Sequence, residues 1–207
     1  MSEAGRAAWL AWKLKTFGDE KSIWHDGLGV EQVTRLRGAA RADALTMLRQ
    51  GLALGDVHAA RALAAMDDPD AAAAVRVALD RSEGNERVWL AVTLHQQRPE
   101  PALAGHLIAV LQTINPMQPW GFGRVDAAIG LRHFAGRDDE AALLAAVADA
   151  HYLVRYHACE SLISRWKITP TSIAAHPDIF AEIRDDVGDH ALARKRLRAR
   201  ARRPLSA

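Results

Sequence analysis

The residues with the most reactive chemistry lie near one another at Tyr156-His157-Ala158-Cys159-Glu160. A cysteine can act as a nucleophile when an imidazole within about 3 Å takes its proton. On a helix, however, residues two apart point roughly 200° away from each other, so His157 cannot activate Cys159 and the thiol is expected in the core. His157 and Glu160, three apart, share a helical face, but one imidazole and one carboxylate are too few ligands for a metal site. His25-Asp26 is a second isolated pair. His58, His95, His106, His133, His151 and His190 show no spacing that assembles a cluster. There is no glycine-rich phosphate loop followed by Lys-Ser or Lys-Thr, and Gly27-x-Gly29 lacks a preceding strand and a third glycine. The expected complement of catalytic residues, metals and cofactors is therefore none, and binding outranks catalysis.

Charge is the next discriminator. From His190 onward seven basic residues, Arg194, Lys195, Arg196, Arg198, Arg200, Arg202 and Arg203, meet no acid. Removing these seven from the 27 basic residues leaves 20 against 25 acids, so residues 1–189 carry a formal charge of −5. An acidic body favours a basic partner and disfavours a duplex, which needs arginine and lysine spread along its contact surface. The single cysteine excludes an intramolecular disulfide and permits a reducing compartment. No stretch reaches the roughly 20 apolar residues that span a bilayer. The apolar start Ala7–Trp12 is broken by Lys13 and Lys15 with no cleavage site after it, so the expected location is cytoplasmic.

The elements that must position these groups are helices. Apolar residues make up 49% of the chain but aromatic ones only 6%, a balance set by alanine and leucine that suits closely packed helices. Residues 3–17 read as a helix with Trp9, Leu10, Trp12, Leu14 and Phe17 inward and Lys13 and Lys15 outward, and 21–29 as an ordered loop carrying Trp24 or a short turn. A helix near 30–36 follows. Helical patterns cover 41–54, 57–66, 71–79, 86–96, 101–114, 124–134, 138–148, 151–166, 178–185 and 190–203, with Asp56 and Asp68-Pro69 as starts. The stretch Asn115-Pro116-Met117-Gln118-Pro119-Trp120-Gly121-Phe122-Gly123 interrupts them. Its prolines and glycines forbid continuous helix. Trp120 and Phe122 either fold back over the neighbouring helices or project as an aromatic anchor.

The segment Asp138 to Trp166 organises the rest. Asp138-Asp139-Glu140 lead an alanine-leucine helix, Asp149-Ala150 make a tight turn, and a second helix carries Val154-Arg155-x-x-Ala158 and Leu162. This order resembles a unit of the HEAT-like helical repeat family, with weaker copies covering roughly residues 40–166. Starts at Pro69 and Pro99 are 30 residues apart and that at Asp138 comes 39 later, which fits repeats of this kind once one carries an insertion. The resemblance implies an all-α fold: a short right-handed solenoid of antiparallel helix hairpins, read as one domain over 1–207. In that reading 1–38 is an N-terminal cap, 39–166 hold about four hairpins, and 167–207 form a C-terminal cap with a basic terminal helix. In the family an arginine at the place of Arg155 bonds the neighbouring turn, so Asp149 or a carbonyl there is its expected partner.

Stacked hairpins offer a concave wall and a row of loops suited to another protein. The expected function is a non-catalytic protein-binding module that neutralises or scaffolds a basic protein, as toxin-immunity proteins of similar architecture do. The candidate contact residues are Trp120, Phe122, Trp24, Asp138, Asp139 and Glu140. The acids that lead repeats, among them Asp67, Asp68 and Asp70, serve either as helix caps or as a steering rim. The alternative is a nucleic-acid-binding protein using Arg194, Lys195, Arg196, Arg198 and Arg200. A HEAT-like glycosylase of alkylated bases belongs to the same alternative, with Trp24, Trp89, Trp120, Trp166 and Asp126 imitating its aromatic and acidic inventory. Bilin lyase-like repeat proteins share the architecture without specific support from residues here.

Overall fold

Alanine and leucine runs punctuated by aspartate, proline and glycine fold as helix after helix. The computed structural model describes residues 2–26, 28–113, 122–184 and 188–201, without the side chains of Trp24 and Asp26. Among the described residues the protein is all-α, with thirteen α-helices, three short 3-10 turns and no strand. No helix of the described residues is long and apolar enough to cross a membrane. The helix starts follow ordinary capping chemistry: Asp56 accepts from the backbone of His58 at 2.9 Å, and Asp68, before Pro69, accepts from that of Ala71 at 2.8 Å. Each supplies an acceptor to a backbone N–H that has no partner within the helix. The chain forms two compact units, Met1–Ser82 with Trp89–Glu100, and Glu83–Val88 with Pro101–Ala207.

In the first unit α1 (Glu3–Phe17) lies against α4 (Gly38–Ala53), which packs on both α5 (Val57–Ala65) and α6 (Pro69–Arg81). Two shorter helices, α2 (Glu20–Asp26) and α3 (Glu31–Thr34), separate α1 from α4, and α7 (Gly84–Gln97) follows α6. The core holds Trp9, Leu48, Leu63, Val75, Leu79 and Leu90. Two sequence expectations change here. The segment 21–29 is largely helical, because Asp19 caps it by accepting from the backbone of Ser22 at 2.7 Å. The inward face of α1 is Trp9, Lys13 and Phe17, spaced by four, while Leu10 and Leu14 are 54% and 59% exposed. Hydrophobicity alone would have buried the leucines. The face was decided by a polar contact, since the Trp9 indole N–H and the Lys13 ammonium both reach the Asp56 carboxylate.

In the second unit α8 (Ala104–Gln112) packs on α9 (Phe122–Gly130), and α10 (Arg137–Ala146) on α11 (Tyr152–Arg165). In addition α8 touches α10 and α9 touches α11, so like helices of the two pairs lie side by side. The buried residues Leu107, Val125, Leu131, Leu143, Val154 and Leu162 form their shared interior, and the Ser161 hydroxyl donates to the Ala128 carbonyl at 2.7 Å. The last pair, α12 (Pro177–Glu182) and α13 (His190–Ala201), closes this unit, with α13 contributing Ala193 and Leu197 to the core.

Gly51 shows how tightly the first unit is fitted. A Cβ there would sit 2.6 Å from the Trp9 ring and 2.8 Å from the Ala59 Cβ. Helix propensity favours alanine over glycine by about 1 kcal/mol, whereas overpacking costs about 1–3 kcal/mol. The second effect wins, because Trp9 is held by its bond to Asp56 and cannot swing aside. Gly51→Ala is therefore expected to lower the thermal unfolding midpoint followed by circular dichroism. An unchanged or higher midpoint would contradict this packing.

Candidate functional site

The largest assembly of charged side chains in the first unit lies where α1 meets the start of α5. The Lys13 ammonium, only 6% exposed, donates to Glu20 at 2.6 Å and to Asp56 at 2.9 Å, and the Trp9 indole donates to Asp56 at 3.0 Å. Burial opposes the charged ammonium, but these hydrogen bonds outweigh it and hold the Lys13 pKa above its ordinary value. Burial likewise opposes the Asp56 carboxylate, and Lys13 overrides it, keeping Asp56 below the usual carboxylate range. His58 lies 3.6 Å from Asp56, and burial followed by the Lys13 charge pushes its pKa down. The assembly is closed on itself: its carboxylates are engaged by the ammonium, the indole and a backbone N–H. Asp56 was read from the sequence only as a cap and Lys13 only as an outward residue. The one available signal was the strong cap position of Asp56 opposite a helix with two tryptophans.

In the second unit the acidic trio at the start of α10 separates into three fates. Asp138 is exposed. Asp139 is 5% exposed and turns inward, accepting from the Gly136 backbone at 2.6 Å with the Arg165 guanidinium 3.8 Å away. This engagement matches the helix-cap role that the sequence allowed for the acids at repeat starts. Glu140 accepts from the Trp166 indole at 2.9 Å. Arg165 also donates to the carbonyls of Phe134 and Gly136. The turn at Asp149 is bound more firmly still. Arg124 pairs with its carboxylate, and Arg155, 1% exposed, donates to its carbonyl at 2.7 Å and to that of Ala150 at 3.1 Å. The carbonyl partner expected for Arg155 at this turn is present, and its Nε additionally reaches the Ile183 carbonyl at 2.7 Å.

The basic terminal helix is likewise divided. One nitrogen of Arg200, Nη2, donates to both carboxylate oxygens of Asp178 at 2.8 and 2.9 Å, and Arg196 pairs with Glu182 at 3.0 Å. Burial would raise the Asp178 pKa, but Arg200 overrides it and holds the carboxyl below its usual range. These two arginines bind α13 to α12 and are not presented to solvent as a pair. Arg194 and Arg198 lie on another face of α13, where with Arg137 and Glu140 of α10 they line an open groove of about 300 Å³ floored by Ala141, Leu144 and Ala145. Lys195 is exposed. Sequence reasoning missed Arg137, since an arginine at a helix start next to three acids reads as part of their charge pattern.

The remaining nominated residues are dispersed. Phe122 opens α9 and is 60% exposed. Trp120 lies outside the described residues, and so does the side chain of Trp24, whose backbone falls in α2. Trp89 is 38% exposed with the Arg61 guanidinium 4.9 Å from its ring centroid, and Val77 of α6 is 50% exposed. Cys159 is fully buried, and burial pushes its thiol up to about 12, so at neutral pH it is no nucleophile. His157 is shifted down by burial and then by Arg132. Comparison of the chain with known protein families, characterised proteins and solved structures finds no match.

Two outcomes follow from these partners. Asp139→Ala strips the Gly136 N–H of its acceptor and Arg165 of its counter-charge and is expected to cost about 1–3 kcal/mol in urea unfolding, whereas Asp138→Ala leaves stability unchanged; equal effects would contradict the separation of the two. The pH dependence has a definite sign. Because His58 and His157 are depressed in the folded state from 6.5, the unfolded chain binds protons first as pH falls. Stability is therefore lost from about pH 6.5 downward until the folded imidazoles also titrate. His58→Asn should flatten this loss between pH 7 and 5 on the order of one proton's slope, measured as the urea midpoint; an unaltered slope would remove His58 from it.

Proposed function

We propose that the chain is a non-catalytic protein-binding module built on HEAT-like helix pairs, and that its partner is a basic protein which it neutralises or scaffolds, in the manner of a toxin-immunity protein. The repeat reading draws support from α8 lying beside α10 while α9 lies beside α11, the arrangement in which each hairpin covers the apolar stripe of the next. The partner reading draws its main support from the outer face of α6. There Val77, half exposed, is flanked along the helix by the exposed carboxylates Asp70 and Asp80. Positions 70, 73, 77 and 80 share one face at helical spacing. Arg81 is also exposed one turn beyond Val77 on this face; the two carboxylates steer the approach of a basic partner, and Val77 is desolvated on contact. Phe122 offers a second exposed apolar contact in the other unit, and Trp120 is retained as an aromatic anchor on sequence grounds.

The alternative, a nucleic-acid-binding protein or a glycosylase of alkylated bases, draws less support. Of the five basic residues nominated for it, Arg196 and Arg200 are engaged by Glu182 and Asp178. The carboxylate Asp126 lies on α9 and is not among the residues that line the groove of Arg137, Arg194 and Arg198.

The test is capture from a lysate of the source cells on the immobilised full chain, in parallel with Val77→Asp, Trp120→Ala and Asp70→Asn/Asp80→Asn variants of intact helical content. One near-stoichiometric basic protein is expected, released as salt rises. Either apolar-site variant should weaken its binding by more than about 1 kcal/mol, roughly fivefold or more, and the charge variant should mainly slow association. Recovery of nucleic acid alone, or a protein held equally by all variants, would overturn the reading.

A further inference from the structure

The groove between α10 and α13 is unlike the other charged clusters because its cations are not spent on the fold. Arg124, Arg155 and Arg165 hold backbone carbonyls, and Arg196 and Arg200 hold α12. The side chains of Arg137, Arg194 and Arg198 make no hydrogen bond or ion pair among the described residues. Their placement follows from helical spacing. Residues 137, 140, 141, 144 and 145 form one face of α10, and 194 and 198 are one turn apart on α13. Two helices of the same compact unit thus bring three guanidiniums to the rim of one groove, above a floor of small and aliphatic side chains.

We propose that this groove binds a phosphate monoester, its dianion held by Arg137, Arg194 and Arg198 and its organic substituent laid on Ala141, Leu144 and Ala145. Three observations select that chemistry. Three guanidinium charges less the one carboxylate of Glu140 leave two positive charges, which match the roughly −2 of a phosphate monoester near neutral pH; a lone carboxylate would leave one uncompensated. A phosphate group has three terminal oxygens, each able to take a planar guanidinium fork, and three forks are present. The groove volume of about 300 Å³ is the size of a small ligand. A nucleic-acid strand fits less well, because its phosphodiesters carry single charges spread along a backbone and no aromatic side chain lines the groove for a base to stack on. Glu140 directs one oxygen to the Trp166 indole, which fixes the carboxylate at the edge of the site and leaves its other oxygen to accept from a hydroxyl of the ligand. This site does not depend on the protein-binding reading and uses none of the α6 residues that carry it.

The experiment is a calorimetric titration of the full chain with phenyl phosphate, with benzoate as the singly charged comparator. Saturable one-site binding is expected, with benzoate at least tenfold weaker. Arg194→Gln and Arg137→Gln should each weaken phenyl phosphate roughly tenfold, in line with a charge-assisted hydrogen bond, and the Arg194→Gln/Arg198→Gln pair should abolish it. Lys195→Gln, outside the groove, should leave it unchanged. Sedimentation with phosphatidylcholine vesicles containing phosphatidic acid distinguishes the source: co-sedimentation lost in the double variant assigns a lipid phosphate, and its absence beside phenyl phosphate binding assigns a soluble ester. Equal affinity for benzoate, or phenyl phosphate binding that survives the double substitution, overturns the proposal. So does a short DNA duplex that binds more tightly than phenyl phosphate through the same arginines.

Discussion

The second unit depends on how the carbonyl-rich turn at Asp149 is satisfied. The last carbonyls of a helix have no partner within it, and burying them unbonded costs more than most single contacts return. The end carbonyls of α10 are taken by the backbone of 147–149, and Arg155, from the next helix, meets the two carbonyls of the turn itself, Asp149 and Ala150, and reaches Ile183 beyond, while Arg124 approaches the same turn from the preceding pair and binds its carboxylate. Arg124 also donates to the Leu111 carbonyl at 3.1 Å, so one guanidinium joins the end of α8 to the turn after α10. Arg165 does the same work at Phe134 and Gly136. A planar fork with five donors can serve several carbonyls at once, which a lysine ammonium cannot do with the same geometry. The α8–α9 and α10–α11 pairs are therefore registered by directional bonds in addition to the apolar packing of alanine and leucine, which by itself leaves helices free to slide.

This use of arginine changes what net charge means. Counted along the chain, the body is acidic and the tail basic. In three dimensions the acids of α12 absorb part of the tail, Asp139 disappears beneath the surface, and the start of α10 becomes the neighbour of unspent guanidiniums. A local excess of acid in sequence thus becomes a locally basic groove. The outer face of α6 goes the other way, since Asp70 and Asp80 stay exposed around Val77.

The first unit solves a different problem with a buried lysine. Desolvating an ammonium is expensive unless it is paired and fully bonded, and here Glu20 and Asp56 supply the pairing, the Trp9 indole sharing the same Asp56 oxygen as Lys13 while the His58 backbone N–H takes the other. Such a network returns little net stability compared with an apolar contact, yet it dictates which face of α1 is inward. The result is visible in Leu10 and Leu14, which a hydrophobic count would bury and which lie outside.

The sequence by itself determined the all-helical class, the helix starts at Asp56 and Asp68, the burial of Cys159 and the backbone partner of Arg155. These depend on interactions between residues a few positions apart, or on periodicity, and both are written in the order of the chain. The helical character of Glu20–Asp26 was not legible, because a seven-residue helix is too short to show a period. The inward face of α1 was decided 43 residues away at Asp56, and the fate of Asp139 by Arg165 across the α10–α11 pair. The groove brought together side chains from helices more than forty positions apart in the chain. Which charges neutralise one another and which remain open is a question of distance through space, and only the packed helices set those distances.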